Sequence, residues 1–253
     1  LYELLKTYSS IQMQKTFQNI SIPKLPVLTT EEGINQIAGI TSFIVQFVGP
    51  ISISIVLCSC IFDIDRETLI YDNNFETENL TKIEGGKVTS YLGQKILGTY
   101  NNGVVKLVLD GLGRHDYIQI QALLYVHDSW DGNAKSPDGT DYWGVMVDSS
   151  EVDVFKTSFS NSACSSDYCY MQSYPQRYPF LTFPGTGASA VNLPAFCKSD
   201  GSTSAYEIDL IFPHRKSKVE IVFWDELNQP NTIDAQCDES WSLNNIQVKL
   251  LSF

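Results

Sequence analysis

Between Tyr117 and Asp128, Ile118, Ile120, Ala122, Leu124 and Val126 recur at every second position, with Gln119 and Gln121 between them. A period of two belongs to the pleated strand, where successive side chains point to opposite faces. A segment of this kind needs a second layer to cover its apolar face. The same period returns in Val105, Leu107 and Leu109, in Ile208, Leu210 and Phe212, and in Val219, Ile221 and Phe223. It returns again in Ile246, Val248 and Leu250, which alternate with Asn245, Gln247 and Lys249, while Trp143 opens a short segment to Val147. Gly, Asn, Asp and Pro separate these runs, and no helical period or internal repeat interrupts them after Asp63. The pattern predicts an all-β, antiparallel jelly-roll sandwich over residues 63–253.

Residues 1–62 read differently. Leu1, Leu4, Leu5, Tyr8 and Ile11 share one helical face, which predicts a short amphipathic helix ahead of the turn at Ile22–Pro26. From Gly33 to Phe62 there is no charged residue. The apolar run 37–62 exceeds the ~20 residues a bilayer span needs, so it is a candidate membrane anchor. Gln46, the Gly49-Pro50 pair and the alternating Ile51-Ser52-Ile53-Ser54-Ile55 fit a buried strand instead. If the run spans, Lys6, Lys15 and Lys24 before it and Asp63, Asp65 and Glu67 after it place the β domain outside the cell.

The net charge is -12, and the first 62 residues hold three Lys and three Glu, so the whole excess falls on the β domain. That domain repels phosphate backbones, which argues against nucleic acid as a partner and leaves divalent cations as natural counter-ions. Of six cysteines, Cys164, Cys169, Cys197 and Cys237 lie in the C-terminal half without zinc-finger spacing. Two disulfides are expected, hence an oxidising compartment; three connectivities are open, one of which pairs Cys164 with Cys169 and Cys197 with Cys237. The sequons are Asn19-Ile20-Ser21 and Asn79-Leu80-Thr81, and Asn79 is the expected glycosylation site.

Four stretches carry a resemblance: Leu109-Asp110-Gly111-Leu112, His127-Asp128-Ser129-Trp130-Asp131-Gly132, Ile211-Phe212-Pro213-His214, and Asp238-Glu239-Ser240-Trp241-Ser242-Leu243-Asn244-Asn245-Ile246. With Tyr71–Glu76 and Thr157–Asn161, they make residues 68–252 resemble an extracellular jelly-roll module of secreted and surface proteins in ciliates, algae and some bacteria. The closing pattern of that family has Asp where this chain has Asn244. The resemblance implies a concanavalin-like or carbohydrate-binding-type sandwich displayed outside a cell, serving adhesion, sugar contact or assembly, and it implies no reaction.

Carboxylates suit Ca²⁺. Asp128 and Asp131, with Asp138 and Asp141, form one candidate set. A second, implied by a structural calcium between the first and last strands of related sandwiches, joins Asp72 and Glu76 with Asp238, Glu239 or Asn245. Turn chemistry accounts for the same residues without a cation. The tyrosine-rich stretch offers Tyr170, Tyr174 and Tyr178, beside Tyr168, as an aromatic contact surface for sugar or protein. Trp130, Trp143, Trp224 and Trp241 could add platforms that stack on sugar rings, with Trp130 and Trp241 expected to be packing residues. His115, His127 and His214 come without a serine elbow, a Cys/His pair or an HExxH motif. Asp225 and Glu226 are the pair on which a glycosidase would have to rest. The sequence is therefore read as a non-catalytic extracellular or surface module for adhesion or assembly with other proteins, with a carbohydrate-binding module as the alternative and a glycosidase as a further one.

Overall fold

The computed structural model describes residues 64–253, apart from 136–138, 149–152, 166–167, 198–200 and 230–231. The chain divides into two units, Leu1–Ile61 and Phe62–Phe253. The expected helix, the apolar run 37–62, Cys58, Cys60, the Asn19 sequon and the calcium candidate Asp138 lie outside the described residues. Among the described residues no helix is long and apolar enough to cross a membrane.

The second unit is an antiparallel jelly-roll sandwich. Its strands are β1 (Arg66–Asn73), β2 (Ile83–Glu84), β3 (Val88–Tyr91), β4 (Gln94–Tyr100), β5 (Val104–Asp110), β6 (Tyr117–Asp128), β7 (Tyr142–Val147), β8 (Phe155–Ser158), β9 (Ala190–Pro194), β10 (Ser202–Pro213), β11 (Lys218–Glu226) and β12 (Glu239–Ser252), with one helical turn, α1 (Ala235–Asp238), before β12. Seven strands form one sheet in the order β3-β4-β12-β6-β10-β9, with β1 also on β12; five form the other in the order β2-β5-β11-β7-β8.

Every alternating run noted in the sequence lies in a strand and turns its apolar set between the sheets. From the seven-stranded sheet come Ile118, Ile120, Leu124, Tyr206, Trp241 and Val248, and from the five-stranded sheet Val105, Leu107, Trp143, Val145, Ile221 and Phe223. Trp130, Trp143 and Trp241 are fully buried. Each removes an area worth several kcal/mol from water, so truncating one to Ala is expected to cost roughly 3–5 kcal/mol.

β12 serves two neighbours along one edge. Its first half pairs β4 at Trp241–Leu243, and its second half pairs β1 from Ile246 onward. The register against β6 breaks between Asn244 and Gln247. Asn245 takes φ 50° there, and its N–H donates to Asn244 Oδ1 at 2.8 Å. Asn tolerates this left-handed conformation better than most residues because its side chain bonds locally. Asn244 thus has a structural task at the bulge.

The free edge of β8 is covered by the chain that follows it. Ser173 and Tyr174 N–H donate to Ser158 O, and Tyr178 N–H donates to Lys156 O. Both expected disulfides form: Cys164–Cys169, spanning 5 residues, and Cys197–Cys237, spanning 40. Two disulfides suggest an extracellular or secreted protein.

Candidate functional site

At the end of the sandwich where β6 finishes, Glu239 lies opposite Asp128 in the strand register. Asp128, Asp141 and Glu239 are 1%, 1% and 3% exposed. Asp141 accepts from Asp131 N–H (2.8 Å) and Asn228 N–H (3.3 Å), which ties the β6–β7 loop to the chain after β11. Burial pushes the Asp141 carboxyl up to about 7, against these hydrogen bonds, with Asp131 adding to the rise. Burial also pushes Glu239 up to about 10, helped by Asp141, Asp131 and Asp238. Glu239 therefore holds a proton at neutral pH. Desolvation disfavours the charged form, and neighbouring carboxylates disfavour it further.

This geometry redraws the expected calcium sets. Asp238 and Glu239 join Asp128, Asp131 and Asp141, while Asp72 and Asn245 line a separate polar cleft with Tyr71, Asn73 and Asn79. Six residues of strand separate Glu239 from Asn245, roughly 20 Å at ~3.3 Å per residue, too far for one ion. Glu76 accepts from Lys95 N–H at 3.1 Å. Among the described residues no three His, Cys, Asp or Glu side chains are grouped to hold a metal.

The histidines are built into the fold. His127 is fully buried, with Nδ1 3.0 Å from Thr203 Oγ1 and Nε2 2.7 Å from Ser242 Oγ. Burial lowers its pKa to about 3, so the ring is neutral. Near the other end of β6, His115 Nδ1 lies 2.6 Å from Gly113 O and its Nε2 lies 2.8 Å from His214 Nδ1. His214 Nε2 in turn faces Asp148 Oδ2 at 3.4 Å. This chain ends on a backbone carbonyl and ties the β5–β6 and β10–β11 loops to the end of β7. Asp225 and Glu226 do not form a pair: successive strand residues point to opposite faces, and only Glu226 faces solvent. Asp225 turns inward and accepts from Asn102 N–H (2.5 Å) and Gly103 N–H (2.8 Å).

The tyrosine stretch splits as well. Tyr174 turns its ring inward against Phe159 and Tyr206 and donates its hydroxyl to Glu207 O at 2.9 Å. Tyr170 is half-buried, with its ring 5.2 Å from that of Tyr168. Tyr178 is 39% exposed and meets the Tyr142 ring edge-on at 4.9 Å.

That last contact belongs to an aromatic platform on the outer face of the five-stranded sheet. Trp224 on β11 lies across from Gly144 on β7. A Cβ at position 144 would stand 2.7 Å from three indole atoms at once, Cε2, Cζ2 and Nε1. These three atoms form the Nε1-side edge of the indole, so this edge packs against the glycine, and only a residue without a side chain leaves that room. The indole Nε1–H donates to Asp153 Oδ1 at 2.8 Å, fixing the ring about its own axis. Lys156 on β8 sets its ammonium 3.6 Å from the Tyr142 ring centre and 5.2 Å from that of Trp224. Glu226 Oε2 lies 4.0 Å from the same ammonium. Burial raises the Tyr142 hydroxyl to about 12, with Tyr178 adding to the rise, so it stays a neutral donor. A flat ring bordered by two carboxylates, one ammonium and two phenols can stack on an apolar face while hydrogen-bonding the polar rim of the same ligand. Of these residues Trp224 and Tyr178 stand among the aromatic candidates drawn from the sequence, and Glu226 stands there as half of the pair a glycosidase would need; Tyr142, Gly144, Asp153 and Lys156 do not. Trp224 is out of phase with the apolar positions of β11, which sets its ring on the outer face.

No protein-family model and no curated protein matches the sequence. Among solved structures the chain is similar to a family GH115 4-O-methyl-alpha-glucuronidase with specificity for decorated arabinogalactans, at 11% identity and a TM-score of 0.36, covering 73% of this chain and 18% of that one. It is also similar to TmCBM27, a carbohydrate-binding module of specific mannan recognition, at 10% identity and a TM-score of 0.35, covering 73% of this chain and 98% of that one.

Proposed function

We propose that the sandwich is a non-catalytic binding module whose ligand is a glycan, seated on the Trp224 platform and used for adhesion or assembly outside the cell. The observation that carries this reading is the partly exposed indole seated against Gly144 on the outer face of the sheet. A pyranose ring presents one face of C–H groups and a rim of hydroxyls. The C–H face stacks on the indole, Asp153 and Glu226 accept from hydroxyls, and Lys156 donates to them. The non-catalytic part rests on burial: the carboxyls with strongly raised pKa values, Asp141 and Glu239, are 1% and 3% exposed and out of reach of a substrate.

A glycan array probed with the intact chain, then with Trp224→Ala, tests the reading. Binding to one glycan class that disappears in the variant supports it. Binding that survives the substitution moves the site elsewhere, and an array without hits removes the glycan reading altogether.

A further inference from the structure

Between Tyr168 and Cys197 the chain carries one charged side chain, Arg177, in a sequence of net charge -12. In that stretch Phe180, Leu181 and Phe183 are 63%, 65% and 68% exposed. A side chain on a flat surface is shielded by its neighbours, so exposure near two-thirds puts all three clear of the body.

The backbone beneath them is held firmly. Phe180 O accepts from Asn133 Nδ2 (3.0 Å) and Ser173 Oγ (2.8 Å). Thr182 N–H donates to Gln172 O (2.7 Å), Gln172 N–H returns to Thr182 O (3.0 Å), and Thr182 Oγ1 donates to Tyr174 O (2.6 Å). Gln172 and Ser173 are themselves fully buried. A network of buried polar groups thus presents three apolar side chains to water, an arrangement that yields nothing within the fold and marks a contact surface.

We propose that Phe180, Leu181 and Phe183 form a ridge that inserts into the interfacial layer of a lipid bilayer. A protein partner would need a cleft shaped to three projecting side chains, whereas a fluid bilayer accepts them without one. Charge selects the same occupant. Carboxylates are repelled by the anionic surface of a membrane, and the ridge lies in the stretch that has none among its described residues. Arg177, whose guanidinium donates to Val154 O, is the one charged side chain of the stretch and is cationic, and Tyr178 supplies a ring of the kind that settles at the membrane–water boundary. The inference rests on the described residues and does not depend on the apolar run 37–62.

Photo-crosslinking in the full chain tests it. Leu181→p-benzoylphenylalanine, irradiated with phosphatidylcholine–phosphatidylserine vesicles, should yield a phospholipid adduct by mass spectrometry. The same photophore at Leu92, 53% exposed in the β3–β4 turn, should yield about a tenth as much or less. Adding Phe180→Ser and Phe183→Ser should lower the adduct at position 181 by about tenfold or more, since each withdraws a full aromatic side chain from lipid. Equal yields at 181 and 92, an adduct to a second copy of the chain, or no lipid adduct at 181 would overturn the proposal.

Discussion

Replacing Glu239 by Gln should stabilise this protein, although Glu239 is buried and central to its end of the sandwich. The ordinary glutamate pKa is 4.5, and burial beside Asp141, Asp131 and Asp238 raises it to about 10. At pH 7 the folded chain must keep a proton that the unfolded chain has released. pH 7 lies well above the ordinary value, and at about 1.4 kcal/mol per pH unit the proton costs on the order of 3 kcal/mol. Because the folded pKa is raised, the contribution of this group to stability is complete below about pH 4.5 and is lost progressively toward pH 10. Asp141, raised from 3.8 to about 7, adds a second loss over the lower part of that window. Glutamine has the same shape and needs no proton. Urea unfolding of both forms from pH 5 to pH 9 measures the effect directly. We expect Glu239→Gln to gain roughly 1–3 kcal/mol at pH 8 and to flatten the fall of stability with pH. A variant less stable than the parent at pH 8, or one with an unchanged pH slope, would refute the reasoning. Millimolar Ca²⁺ in the same assay tests the cation reading of this cluster: an unmoved midpoint leaves the proton as the account of the buried carboxyls, and a rise reversed by chelator would put a cation where we place the proton.

Gly144→Ala should displace the Trp224 indole, costing roughly 1–3 kcal/mol of stability and shifting tryptophan fluorescence, with any glycan binding lost in parallel; unchanged fluorescence would mean that the indole is not seated on the glycine. In the chain-entropy account, removing Cys197–Cys237 by Ser substitution should cost about 4 kcal/mol and removing Cys164–Cys169 about 2, so a larger loss from the small loop would contradict it. Asn79 is exposed, and its Oδ1 accepts from Thr81 N–H (3.0 Å) and Thr81 Oγ1 (2.6 Å); protein from a secretory host should carry sugar there, seen as a mass that falls on glycosidase treatment and is missing in Asn79→Gln.

The strands were legible wherever one face is buried and the other wet, because the period of two then appears directly in residue types. β6, β11 and β12 are of this kind. β1 was not, since it is largely exposed, and neither was β3, whose four residues are too few to show an alternation. The grouping of acids was not legible in the sequence. The resemblance set Asp238 and Glu239 beside Asp72 and Glu76, whereas the β6–β12 register puts Glu239 opposite Asp128 and some 20 Å from Asn245. Tyr174 and Tyr178 are four apart in one tyrosine-rich stretch, yet one faces the core and the other faces solvent, because the stretch follows the edge of β8 rather than forming a free loop. The platform was legible in part: Trp224 stood among the aromatic candidates, but its seat depends on a glycine on the neighbouring strand, a pairing that no local pattern reveals.

The most direct test of the glycan reading is titration calorimetry of the best array ligand into the intact chain and into Trp224→Ala. We predict micromolar to millimolar binding by the parent and a loss of tenfold or more in a variant whose melting temperature is close to unchanged. Equal affinity in the two proteins would contradict the account, because the platform would then take no part in binding.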